Sequence, residues 1–291
     1  MIRPGMLFTF AKHLEHGVTN PIVARLTLQT LQILEKCNMS KELREQIAGL
    51  YVSSLVKQLL RCWEIEQRLR ADFEKAVASY KPVLGASVVE LPQIPRLEEE
   101  CRNYLAEARN FLRELLQVFN LLYSTKFSEA SEWVRRAKKQ DSVQDFAKAN
   151  FGENDLKTMF LKQMPPCNGP FIDMRNAAEH PGGYSGELRI KNFSIGADGK
   201  LQEPTWTREK DGKIEYGPFP ILLDMQIGVH NLLISGESIP VMWALQNLML
   251  PNVAGIAVIP EQNRDPKCSI KYTTTLSPAF AQKLAQASKT Q

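Results

Sequence analysis

The hexapeptide Arg175-Asn176-Ala177-Ala178-Glu179-His180 sets a permanently charged guanidinium and a titratable imidazole five residues apart. Arginine grips phosphate oxygens with a planar fork of donors, and histidine exchanges a proton near neutral pH. Together those abilities suit phosphodiester chemistry. On an α-helix five residues turn through about 500°, which leaves Arg175 and His180 roughly 140° apart around the axis, with Asn176 much closer in angle to His180. The two therefore converge only on something lying in a groove or across a subunit interface. Pro181 follows directly and pushes the residue before it out of helical geometry, so His180 is expected at the helix end. A plainer reading stands beside this one. In it Arg175 pairs with Glu179 one turn on, Asn176 faces a loop, and His180 caps the helix before the Pro181-Gly182-Gly183 turn.

The chain ahead of the motif reads as helix. Asn20-Pro21 opens an amphipathic segment with Ile22, Leu26, Leu31 and Leu34 at helical spacing, and Asn38 and Ser40 supply stop and capping signals. Residues 41–80 carry Ile47, Leu55, Cys62, Ile65, Leu69 and Val77 on one sustained stripe, and residues 97–122 repeat the pattern from Leu97 to Leu122. The proline-containing loop between them predicts two long helices packed antiparallel. Shorter helices are expected around 128–139, 143–149 and 156–164, with Pro165-Pro166 and Gly169-Pro170 as a rigid approach to the motif helix. After His180 the apolar period shortens to two at Leu188 and Ile190, and turn signals at 196–199 and Asp211-Gly212 predict a three-stranded meander over 187–217. Helices over 220–234 and 240–250, strands near 253–259 and 268–275, and a last helix from Pro278 follow. The fold expected is mainly α: an antiparallel helical bundle over residues 1–180, with a β-meander and a small α/β addition over residues 181–291 packed on it as one unit.

The Arg175-Asn176-x-x-x-His180 pattern, on a helix beside two long antiparallel helices, resembles the HEPN superfamily of helical-bundle proteins. That resemblance covers residues 95–235 at most, and only the hexapeptide is specific. It implies an RNA-binding protein acting as a homodimer, with a metal-independent endoribonuclease activity that leaves 2′,3′-cyclic phosphate and 5′-hydroxyl ends. His180 would serve as general base or acid, Arg175 would hold the scissile phosphate, and Asn176 would orient the phosphate or the imidazole. A bacterial defence or toxin system, with an antitoxin as protein partner, is the setting implied by the family alone. Non-catalytic members imply the alternative of a protein-interaction or nucleotide-binding module.

Composition sets the bounds. The 291 residues, 44% hydrophobic, suffice for one large domain or two ordinary ones, and a formal charge of +4 permits a polyanionic partner while excluding a histone-like polycation. Five scattered cysteines without a Cys-x-x-Cys pair fit a reduced, cytoplasmic setting. Met1 to Phe10 lack the form of a secretory signal, so no export is expected. Residues 238–260 carry no charge, yet Pro251-Asn252 interrupts them, so no membrane association is expected. For RNA contact the candidates are Arg135 and Arg136 beside Trp133, and Arg189 with Tyr184 or Trp206 for stacking; solvated helix faces and lysine-guarded edge strands explain the same charges. His13 and His16 lack further ligands nearby, so no metal is expected, nor any cofactor, and His230 is expected to be a partly buried structural residue. Phosphate-loop, dinucleotide, zinc-protease and nucleophile-elbow motifs are missing.

Overall fold

Helix α1, residues 21–34, begins where Asn20 Oδ1 accepts the Ile22 N–H at 2.9 Å, and Pro21 fits the first turn because its missing N–H is not needed there. The computed structural model describes residues 15–81, 90–134 and 142–287. Helix α2, residues 41–79, is capped by Ser40 and runs through a π-helical segment at Tyr51–Leu55. Helix α3 (Leu97–Tyr123) packs against it. Arg61 pairs with Glu107 and Arg68 with Glu100, so one number falls as the other rises and the helices are antiparallel, as expected. Their shared apolar faces are buried because each stripe alone would leave its aliphatic side chains in water.

Short elements follow: a 3₁₀ turn (Ala130–Trp133), α4 (Val143–Phe151), α5 (Leu156–Leu161) and the motif helix α6 (Met164–Glu179). The prolines expected to precede α6 lie inside it. Pro165 and Pro166 occupy the first turn, where backbone N–H groups have no helical acceptor, and Pro170 is accommodated farther along.

The predicted meander is interrupted. Strands β1 (Glu187–Lys191), β4 (Thr205–Lys210) and β5 (Lys213–Pro220) form an antiparallel sheet in that order, while β2 (Ser194–Ile195) and β3 (Leu201–Gln202) make a separate small hairpin between them. The chain leaves the sheet because Asn192 uses its side-chain amide on the backbone of Ile94, accepting from its N–H at 3.2 Å and donating to its carbonyl at 3.0 Å. Phe193 is thereby buried in the core.

The two helices expected over 220–250 are one, α7 (Ile221–Asn247), which runs back through the bundle against α2, α3 and α6. Pro240 cannot bond the Gly236 carbonyl four residues back; the Tyr51 hydroxyl does so instead, at 2.6 Å, and the helix continues. Strands β6 (Ala254–Val258) and β7 (Tyr272–Leu276) pair with each other rather than with the larger sheet, and α8 (Pro278–Ala287) follows. No helix among the described residues is long and apolar enough to cross a membrane.

Candidate functional site

The end of α6 is built by its sequence. Pro181 keeps His180 from helical torsion angles, leaving it as C-cap at φ −128°, ψ 67°, while its N–H still donates to the Asn176 carbonyl at 2.9 Å. The His180 carbonyl then accepts the Gly183 N–H at 2.9 Å, and Gly182 turns the chain at φ +74°, in the left-handed region open to glycine. A cation from a neighbouring helix completes the end: Arg102 of α3 donates through Nη1 to the Ala178 carbonyl at 2.6 Å.

Within this frame Arg175 is only 19% exposed at its side chain, and His180 is 75% exposed. Arg175 Nη2 forms an ion pair with Glu179 Oε1, its Nη1 donates to Asn176 Oδ1 at 3.3 Å, and its Nε is buried without a partner. The other oxygen of Glu179 lies 4.0 Å from His180 Nε2. One carboxylate thus stands between the two motif residues. Burial, and next the charge of Arg109, draw the Arg175 guanidinium below its ordinary value, against the opposing pull of Glu179. Arg109 is itself paired with Glu129 at 3.2 Å. The plainer reading of the hexapeptide, with Arg175 on Glu179 and His180 as a helix-end residue, describes these contacts directly. Asn176 faces Arg175 rather than standing free for a ligand.

The other candidates scatter. Tyr184 is 77% exposed, with Lys210 Nζ 4.3 Å from its ring centre, so an aromatic face and a cation do sit side by side beyond the helix end. Arg189 on β1 is paired with Glu209 at 3.1 Å and Glu187 at 3.7 Å. Trp206 is fully buried, its indole N–H donating to Asp224 at 2.7 Å, and cannot stack on a base. Arg135 and Arg136 lie outside the described residues, as does His13. His16 bonds Glu64 at 2.9 Å and meets the Trp63 ring edge-on. His230, expected to be partly buried, is exposed, because α7 turns that position toward an open cleft rather than into the core. Arg102 and Arg109 were not singled out from the sequence, since nothing local ties α3 to the hexapeptide. All five cysteines are free thiols.

No family model matches the chain, and neither the curated proteins nor the solved structures give a match.

Proposed function

We propose that the end of α6 is the phosphate-handling site of a HEPN-like RNA-binding protein, and that it cleaves RNA without a metal when two copies of the chain bring their motifs face to face. The observation that carries this reading is the placement of Glu179, whose carboxylate pairs with Arg175 through one oxygen and holds the other 4.0 Å from the Nε2 of the exposed His180. An anion-sized position is thereby shared by a cation and a proton-transfer group. A phosphodiester entering there displaces the carboxylate and takes over the Arg175 donors. His180 then accepts the 2′-hydroxyl proton as the 2′-oxygen bonds to phosphorus. The bond to the 5′-oxygen breaks, and the imidazole of the second copy protonates the leaving oxygen, giving a 2′,3′-cyclic phosphate and a 5′-hydroxyl. Tyr184 beside Lys210 offers a stacking face for an adjoining base.

Incubating mixed RNA in EDTA with the wild type, His180→Ala and Arg175→Ala tests the proposal. The expected result is cleavage by the wild type to cyclic-phosphate ends and a loss of at least a hundredfold in either variant, of the order general acid–base or electrostatic stabilisation supplies. Equal turnover in all three, or none over diverse RNAs, sinks the catalytic part. A second reading, a non-catalytic interaction module, is favoured by the internal engagement of Arg175, both of whose Nη groups already have partners. It predicts that Arg175→Ala changes binding or assembly with no turnover in any variant.

A further inference from the structure

A cleft of about 690 Å³ lies between the start of α1, the middle of α2 and the first half of α7, and no motif residue lines it. Its volume falls within the range of small-molecule sites. The wall is more apolar than polar, formed by Ile22, Trp63, Leu223, Ile227 and Leu233, with Asn20, Gln67, Gln226 and His230 as its uncharged polar members. Leu223 and Ile227, one helical turn apart on α7, remain 54% and 47% exposed. Arginines mark both ends. Arg70 bonds Glu66 through Nε at 2.8 Å and Gln226 through Nη2 at 3.3 Å, while Arg25 bonds Glu237 through Nε at 2.7 Å. Leu223 and Leu233, which both line it, are separated by about 15 Å of helix rise along α7 at 1.5 Å per residue, so the cleft has length as well as width.

The charges in and behind this cleft do not balance. Arg70 is matched by Glu66, while Arg25 and Lys271 both meet Glu237 behind the cleft, so the excess of one cation lies with that deeper group, and both carboxylates are almost wholly buried. Arg70 is the accessible cation, with its side chain 37% exposed and its Nη1 making no hydrogen bond among the described residues. A long, mainly apolar wall ending in an arginine with a spare donor complements an amphiphile of single negative charge.

We propose that the cleft binds an amphipathic carboxylate, with an aliphatic or aromatic body along Trp63, Leu223 and Ile227 and its head group on Arg70. The site is separate from the end of α6, so its failure and that of the RNA reading are distinguishable.

Calorimetric titration of the full chain with dodecanoate, below its micelle concentration, tests this, with dodecanol, dodecyltrimethylammonium and AMP as comparators. The expected result is one saturable dodecanoate site at least tenfold tighter than dodecanol, with no saturable binding of the cationic amphiphile. Ile227→Glu, at an exposed position, lowers dodecanoate affinity tenfold or more with an unchanged far-ultraviolet spectrum. The double variant Glu66→Gln, Arg70→Gln removes both charges of the ion pair together, and it loses the preference for dodecanoate while keeping dodecanol binding. Absence of saturable binding, dodecanoate affinity untouched by Ile227→Glu, equal binding of all three amphiphiles, or AMP binding tighter than dodecanoate overturns the proposal.

Discussion

Glu179 decides what the hexapeptide can do. On the proposed reading its carboxylate occupies the position a phosphate would take, so Arg175 would meet RNA only to the extent that RNA outcompetes a neighbour one turn away. Replacing it with glutamine removes the competing charge while keeping the size of the side chain. The ion pair spans one helical turn near the surface, so Glu179→Gln is expected to lower stability by no more than about 0.5 kcal/mol in a urea titration. RNA affinity should rise roughly two- to fivefold, the equivalent of about 0.5–1 kcal/mol for releasing a surface pair. Filter binding at fixed salt checks it; an unchanged or weakened affinity shows that Glu179 is not in the way and that Arg175 does not meet phosphate. This pairing was legible in the sequence from the spacing of Arg175 and Glu179 alone. The Arg102 cap and the nearby Arg109 were not, because they arrive from α3 through tertiary packing that no local pattern encodes.

At the scale of elements, the long stripes of α2 and α3 were legible because burial repeats with the helix period, and their antiparallel packing followed from the connection between them. The continuation of α7 through Pro240 was not, since the group that rescues the Gly236 carbonyl is the hydroxyl of Tyr51 on another helix. Tyr51→Phe should therefore cost about 1–3 kcal/mol, the penalty of a buried acceptor left without a donor. In a Pro240→Ala background a backbone N–H is again available for Gly236, so the same change should cost less. A double-mutant cycle in urea that finds no coupling refutes this account of the helix. The sheet is tied to α7 in a comparable way. Buried Asp224 accepts from the Trp206 indole at 2.7 Å and the Tyr216 hydroxyl at 2.8 Å, and burial raises its pKa above the usual carboxyl value. The folded state thus holds the Asp224 proton more tightly than the unfolded one. The corresponding stability is fully present below the ordinary carboxyl pKa of about 4 and is lost as pH rises through the folded value. Relative to Asp224→Asn, the wild type should lose stability as pH is raised from about 4, read from urea midpoints along the series; a wild type that gains stability relative to the variant as pH rises contradicts the assignment.

Across the whole molecule, α1, α7 and the start of β7 are joined by charge rather than by apolar packing alone. Glu237 is fully buried and meets Arg25 at 2.7 Å, Lys271 at 3.1 Å and Gln29 at 3.2 Å, while Gln29 Oε1 accepts the backbone N–H groups of Lys271 and Tyr272 at 2.6 and 2.8 Å. No window of sequence could have disclosed this cluster, because its members lie far apart along the chain and a lone glutamate in an apolar helix reads as a mistake of pattern. Burying these ions has a large desolvation penalty, so the cluster need not be more stable than a hydrophobic filling, yet breaking it leaves a charge stranded. Glu237→Ala should accordingly destabilise the protein by about 3–5 kcal/mol, with Arg25 left buried and unpaired. Hydrogen exchange should rise first in β6 and β7, whose link to α1 runs through this group of side chains. The double variant Arg25→Met, Glu237→Met should recover most of the loss, because Lys271, with its side chain 22% exposed, can turn its ammonium to water. Chemical denaturation of the two variants separates the alternatives. If the double variant is as unstable as the single one, the cluster contributes through the shape and hydrogen bonding of Glu237. If the single variant is harmless, Arg25 finds water in the adjoining cleft and the charges at its two ends are less rigidly held than their burial implies.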